Sequence, residues 1–269
     1  MSVIDLTSAR NDRVKAASQL RRRKHRKQQD RTLIDGVREI ATALDAGVEI
    51  DEVFLFPPLC RTDAATELLE RLEQLPAIRY RVTRPLFEKL AFGERTEGVL
   101  AVARTPQRSL DAIELPERPL VLVLEAVEKP GNLGAVLRSA EATGCAAVVL
   151  ADGQTDLYNP AAIRASLGAV FCLAVAEATS EEVLDWLREQ SLQIFAARVD
   201  GSVPYTGIDF TGPAAIVLGS EEAGLTSKWM ADDVTPIHLP MRGRVDSLNV
   251  STTAAVLAYE AQRQRAASR

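Results

Sequence analysis

The sequence predicts a two-part α/β protein, a small α/β unit followed by a larger one built on a mostly parallel sheet. Three observations carry this. Short apolar runs alternate with segments of helical period along most of the chain. The runs beyond residue 119 are continuously apolar, as strands buried on both faces of a parallel sheet are. Between Arg104 and Pro119, Pro106, Pro116 and Pro119 interrupt polar residues of little periodicity, which marks a linker. A length of 269 residues accommodates two domains of ordinary size.

In the first part, Thr32 to Ile34 is a short strand, and Val37, Ile40, Ala41 and Leu44 recur at the spacing of one helix face. Val53 to Phe56 is a strand stopped by Pro57 and Pro58. Ala64 to Leu75 reads as a helix, Ile78 to Val82 as a strand, Arg84 to Ala91 as a helix and Gly98 to Ala103 as a closing strand. In the second part, Leu120 to Leu124 is a buried strand, and a helix from Leu133 to Thr143 is closed by Gly144, a common C-cap residue. Ala146 to Leu150 is the next strand, Pro160 to Leu167 a helix and Phe171 to Val175 a strand. Thr179-x-x-Glu182 has the form of a capping box opening a helix to Glu189. Ile194 to Ala197, Ala214 to Leu218 and Thr235 to Leu239 are strands, the last leading into a helix from about Leu248 to Gln264. Strands alternating with helices imply a parallel sheet covered on both faces.

Composition excludes several classes. With 46% apolar and 26% charged residues, the chain is neither disordered nor a collagen-like or coiled-coil rod. No apolar run approaches the roughly 18 to 20 residues that cross a bilayer, and Met1 to Thr7 lacks the apolar core of a secretion signal. A cytoplasmic protein without membrane contact is expected. Cys60, Cys145 and Cys172 are odd in number and far apart, and His25 and His238 are the two histidines. Neither a disulfide framework nor a metal site is expected.

The net charge of -5 is unevenly spread: Met1 to Arg31 holds ten basic and three acidic residues, +7, leaving -12 for the rest. A basic arm on an acidic body is the footprint of a protein that meets a polyanion, because each neutralised phosphate releases counterions. Arginines outnumber lysines 26 to 6, and the guanidinium fork matches phosphate oxygens. Arg21, Arg22, Arg23, Lys24, Arg26 and Lys27, with Arg38 beyond the arm, are the candidate nucleic-acid contacts; a solvated helix face is the alternative.

Ligands of open parallel sheets bind at loops leaving the carboxyl ends of strands. Three such loops are unusual here: Glu125 to Arg138, with Gly131 and Gly134 flanking Asn132; Gly219 to Gly224; and Pro240 to Ser251. Each alone is as easily a turn or a helix cap. There is no GxGxxG fingerprint and no GxxxxGK[ST] loop, which argues against the common nucleotide-phosphate cradles. His238 lies in an apolar strand, and serine- or cysteine-nucleophile chemistry lacks partners.

Asn132-x-Gly134-x-x-x-Arg138, then Ile216 to Glu221 with Gly224, then His238-Leu239-Pro240-Met241 followed by Ser247-Leu248-Asn249-Val250-Ser251 resemble, in order and spacing, the three motifs of the SpoU (TrmH-like) branch of the SPOUT RNA methyltransferases. Asn159-Pro160 with Arg164-Ala165-Ser166-x-Gly168-Ala169 adds a fourth similar stretch. More loosely, Leu33-Ile34-Asp35-Gly36-x-Arg38 and Glu97 to Val102 resemble the small ribosomal-protein-like substrate domain often fused ahead of it. Asp35 stands where glutamate is usual, and Arg95-Thr96-Glu97 replaces threonine-proline-glutamine.

The resemblance implies a basic arm and small RNA-binding domain over residues 1–104, a linker over 105–118, and a methyltransferase domain tied in a trefoil knot over 119–269. It implies methyl transfer from S-adenosylmethionine to a ribose 2'-hydroxyl, in ribosomal RNA by preference. A transfer-RNA substrate and a non-catalytic RNA-binding or ribosome-assembly protein are the alternatives. Leu218, Gly219, His238, Leu239, Met241, Ser247 and Leu248 would hold the cofactor, Gly219 by letting backbone approach it closely. Asn132, Arg138, Glu221 and Asn249 would form the catalytic set. In this family the arginine at the Arg138 position is lent by the partner subunit of a homodimer.

Overall fold

The computed structural model describes residues 3–92, 97–106 and 109–268. Arg95 and Thr96 of the departure noted above lie outside the described residues. The chain forms two compact units, Met1–Gln107 with Tyr158–Cys172, and Arg108–Leu157 with Leu173–Arg269.

The first unit contains β1 (Ile4–Leu6), α1 (Asp12–Gln19), α2 (Arg23–Gln29), β2 (Arg31–Asp35), α3 (Val37–Asp45), β3 (Ile50–Leu55), α4 (Asp63–Glu73), β4 (Ile78–Val82), α5 (Arg84–Leu90) and β5 (Val99–Arg104). Its sheet runs β1-β4-β3-β5-β2; β1 and β3 pair parallel with β4, while β5 is antiparallel to both β3 and β2. The basic stretch is therefore folded rather than an arm. β1 joins the sheet edge, and Val14, Ala17 and Leu20, three residues apart, enter the core with Phe54, Phe87 and Leu90. The intervening charges hide this sparse helical stripe from a composition reading.

The segment that returns to this unit carries α7 (Pro160–Ala165) and α8 (Ala169–Cys172), with α6 (Pro130–Thr143) preceding them in the other unit. Thr32 Oγ1 donates to the Tyr158 carbonyl at 2.7 Å, and Arg164 Nη1 donates to Asp35 Oδ2 at 2.9 Å and also to the Phe92 carbonyl. Gly168 has a φ of +84°, and a Cβ there would lie 2.9 Å from Thr42 Cβ. Asp35, the residue that departs from the family pattern, is thus a buried acceptor for Arg164 and for the Phe92 amide. Phe171 and Cys172, read from sequence as the start of a strand, lie in α8 instead. The strand begins at Ala174, because a short apolar run fits a buried helix turn as well as a strand.

The second unit contains β6 (Leu120–Glu125), α6 (Pro130–Thr143), β7 (Ala147–Ala151), β8 (Ala174–Ala178), α9 (Ser180–Glu189), β9 (Gln193–Ala197), β10 (Val203–Pro204), β11 (Ala214–Leu218), β12 (Val234–His238) and α10 (Val250–Ala267). All pairings in the order β10-β12-β9-β11-β6-β7-β8 are parallel. Every residue of β6, β7 and β11 is buried, which explains their unbroken apolar runs. The capping box at Thr179 and Glu182 is formed. From β6 the chain builds outward through β7 and β8 on one side, then crosses to β9, β11 and β12 on the other. The loops leaving β6 and β11 consequently part at a topological switch point, where such sheets place their ligands. α10 packs along α6. Its far end is pinned by Arg265, whose guanidinium donates to the carbonyls of Phe210 (2.8 Å), Arg118 (2.7 Å), Pro119 (3.0 Å) and Gly212 (2.8 Å).

Candidate active site

Three segments far apart in sequence converge at that switch point. Asn132 lies in the first turn of α6, after Lys129 and Pro130. Glu221 lies in the loop after β11, and Asn249 is the N-cap of α10. Glu221 Oε1 accepts from Asn132 Nδ2 at 2.7 Å and from Asn249 Nδ2 at 2.6 Å, and Lys129 Nζ donates to Oε2. Asn249 Nδ2 also reaches Asn132 Oδ1 at 3.3 Å, while its own Oδ1 accepts from the Ser251 amide at 2.9 Å and the Ser251 hydroxyl at 2.6 Å. One carboxylate thereby joins the amino ends of two helices, where a negative charge is favoured by the helix dipoles. The Lys129 ammonium and then the Asn132 amide hold Glu221 below the ordinary carboxylate range. It is an ionised brace, unsuited to delivering or taking a proton near neutral pH.

Glycine shapes the loop that presents Glu221. Ser220 and Gly224 exchange backbone hydrogen bonds at 3.2 and 3.1 Å, with Gly224 at a φ of +66°. A Cβ on Gly219 would meet the Gly224 carbonyl at 2.3 Å. The close approach expected at Gly219 is therefore demanded by its own loop, before any ligand is considered.

A cavity of about 1250 Å³ opens beside the brace, and Leu218, Gly219, His238, Leu239, Met241, Ser247 and Leu248 all line it, as do Glu221 and Asn249. Ligand pockets commonly occupy about 300–1,000 Å³, so there is room for a cofactor and part of a nucleotide. Its lining holds four acids, Asp200, Glu221, Glu222 and Asp246, against two arginines, Arg198 and Arg242, a balance that suits a cationic sulfonium. His238 Nδ1 is buried without a hydrogen-bond partner among the described residues, leaving a polar atom in that lining unspent.

The sequence reading missed the segment after β9. Ala197 to Asp200 lines the cavity, with Arg198 bound bidentately to Asp200 at 2.9 and 2.7 Å. Its place at the carboxyl end of a strand was the available signal. Missed too was Lys129, which precedes a proline and looks like an ordinary turn residue.

The structure leaves Arg138 apart from the brace. It lies six residues beyond Asn132 on α6, about 9 Å along the helix and about 120° round it. It is exposed and makes no hydrogen bond among the described residues. The basic candidates also divide. Arg26 is 4% exposed and donates to the Leu20 carbonyl at 2.7 Å, so its charge is spent holding the first unit together. Arg21 stacks 4.5 Å above the Phe92 ring and donates to the Ala91 carbonyl. Arg23 is half-buried, whereas Arg22, Lys24, Lys27 and Arg38 are exposed.

Residues 119–259 match the SpoU rRNA Methylase family, and residues 11–101 match the MRM3-like substrate binding domain. The chain belongs to the SpoU family. It is 33% identical over 245 residues to the 23S rRNA (uridine(2479)-2'-O)-methyltransferase of Streptomyces viridochromogenes, covering 88% of this chain and 84% of that one. It is 27% identical to the 23S rRNA (guanosine(2553)-2'-O)-methyltransferase RlmP of Bacillus subtilis, covering 94% and 97%. Among solved structures, an RNA 2'-O ribose methyltransferase superposes with a TM-score of 0.87 at 39% identity, over 98% of this chain and all of the other. The SpoU methyltransferase AviRb from S. viridochromogenes, in complex with AdoMet, gives 0.87 at 29% identity over 97% and 100%. The resemblance read from the sequence motifs is borne out over both parts of the chain.

Proposed function

We propose that this SpoU protein transfers a methyl group from S-adenosylmethionine to a ribose 2'-hydroxyl of ribosomal RNA. The observation that carries the reading is the Asn132–Glu221–Asn249 brace standing at the edge of an acidic cavity lined by all seven expected cofactor residues. Relatives spanning nearly the whole chain are named as 23S rRNA 2'-O-methyltransferases. By contrast, a solved structure titled for 2-OH methylation of tRNA C/U34 matches only 57% of this chain, with a TM-score of 0.52.

When bound, S-adenosylmethionine supplies an electrophilic sulfonium methyl. The chain's residues then have to bring a weakly acidic hydroxyl in line with it, and orientation of this kind contributes roughly 7–11 kcal/mol in favourable cases. The brace fixes the α6 and α10 ends against the 219–226 loop, and Ser247 and Leu248 face the cavity directly before Asn249. Arg138 is the cation of the set. A guanidinium does not give up its proton in proteins, so its role is to stabilise developing alkoxide charge or the phosphate beside it. Its distance from the brace fits delivery to the site of a partner subunit in a homodimer. Arg22, Lys24, Lys27 and Arg38 would meet RNA phosphates. The reading also carries the domain division at residues 105–118, the trefoil knot in the second domain and a cytoplasmic location.

The test is incubation with methyl-labelled S-adenosylmethionine and undermodified ribosomal or transfer RNA, followed by alkaline hydrolysis. Alkali-resistant labelled linkages in ribosomal RNA are expected. Label on a base, or on transfer RNA alone, would overturn the assignment.

A further inference from the structure

A buried carboxylate lies behind the cavity and outside the catalytic set. Glu125 ends β6 and is 0% exposed. Its Oε1 accepts from the Ser180 and Thr226 hydroxyls, each at 2.7 Å, and its Oε2 from the Thr226 amide at 2.7 Å. No lysine or arginine pairs with it among the described residues; Lys228, on the turn after Thr226, is paired with Asp152 at 3.8 Å instead. Burying a charge without a counter-ion is costly unless several donors surround it. Here two of the three donors come from one residue, Thr226.

Thr226 is where the loop after β11 ends. The loop leaves the sheet at Leu218, folds back through the Ser220–Gly224 bridge and presents Glu221. It then reaches Thr226, the N-cap of the short 3-10 turn Ser227–Met230, in which Trp229 is fully buried and Met230 lines the cavity. One end of the loop is thus fixed by β11 and the other by Glu125. We propose that Glu125 is a positioning residue: by holding Thr226 it sets the conformation of the Gly219–Leu225 loop, and with it the shape of the cofactor cavity and the place of Glu221. The proposal rests on reading that cavity as the S-adenosylmethionine site.

The donor set distinguishes what Glu125 must supply. The Ser180 and Thr226 hydroxyls can rotate and become acceptors, whereas the Thr226 amide can only donate. A glutamine can put its carbonyl on that amide and its NH2 towards the hydroxyls, so Glu125→Gln retains the anchor without the charge. Glu125→Leu leaves the Thr226 amide buried and unpaired. Thr226→Val removes one bond on the loop side of the carboxylate, and Ser180→Ala removes one on the α9 side.

The experiment measures hydrogen exchange of the 219–226 backbone in the full chain without ligand, S-adenosylmethionine affinity by calorimetry, and thermal melting, for all four variants. Glu125→Leu and Thr226→Val are expected to speed exchange of 219–225 and weaken binding, by about tenfold for Glu125→Leu. Ser180→Ala should lower the melting temperature while leaving loop exchange and affinity within about twofold of the wild type, and Glu125→Gln should stay within about threefold in affinity. Equal effects of Ser180→Ala and Thr226→Val on loop exchange, or unchanged exchange in Glu125→Leu, would overturn the assignment. A wild type that binds no S-adenosylmethionine would instead overturn the methyltransferase reading, with the exchange data still deciding the loop.

Discussion

Asn249 holds its α10 cap and the brace with opposite ends of one amide, and this makes its contributions separable. The oxygen caps α10 through the Ser251 amide and hydroxyl, while the nitrogen donates to Glu221 Oε1 at 2.6 Å. Asn249→Ala removes both. Loss of an N-cap costs about 1 kcal/mol, which lowers the melting temperature of a chain of this size by roughly 2–4 °C. Asn249→Ser keeps an N-cap of equal quality and loses the donation to Glu221. A hydrogen bond to a charged group contributes roughly 1.5–3 kcal/mol, and the Glu221 side chain is still 26% exposed, so the lower end applies, about tenfold in kcat/KM. The assay is methyl incorporation into RNA over a range of RNA concentrations, with melts on the same samples. Asn249→Ser should melt roughly 3–6 °C below the wild type and lose about tenfold in kcat/KM; Asn249→Ala should melt roughly a further 2–4 °C lower, from the lost cap, with the same kinetic loss. Wild-type kcat/KM in Asn249→Ser would refute the brace as a positioning device and leave Asn249 a helix cap.

Gly219→Ala forces a Cβ to within 2.3 Å of the Gly224 carbonyl, and the loop has to open. S-adenosylmethionine binding by calorimetry should weaken about tenfold or more, and unchanged affinity would show that the loop is not tight in solution. In the proposed homodimer, mixing Arg138→Ala with Gly219→Ala chains should restore part of the activity that each variant loses alone, whereas simple additive loss would argue against a shared site. Arg265→Ala abandons four carbonyls at the far end of α10 and should cost about 3 kcal/mol, read as a drop of roughly 6–12 °C in melting temperature; a smaller drop than the Asn249 cap mutant would contradict the clamp. Burial raises the pKa of Asp35 from 3.8 to about 6, against the lowering effects of the Phe92 amide and Arg164. Between those values the folded state binds more protons than the unfolded chain, so this contribution to stability falls as pH rises through the window and is constant above it. The wild type should therefore lose melting temperature relative to Asp35→Asn between about pH 4 and pH 6, with a limiting slope of about 1.4 kcal/mol per pH unit. Parallel profiles would refute the shift.

The sequence by itself determined whatever depends on near neighbours. The strands at Ile78–Val82 and Ala214–Leu218, the capping box at Thr179 and Glu182 and the motif loops after β6, β11 and β12 follow from side-chain periods of two to four residues and from turn chemistry. Tertiary structure decided what depends on residues meeting across the chain. Asn132 and Glu221 are 89 positions apart, and Asn132 and Asn249 are 117 apart. Their convergence is set by the crossing order of a parallel sheet, which leaves no mark in local pattern. The return of 158–172 to the first unit, the helical state of Phe171 and the burial of Arg26 have the same origin. In each, a local preference too weak to decide was settled by packing against distant residues: Thr32, Asp35 and Thr42 for the returning segment, and the Leu20 carbonyl for Arg26.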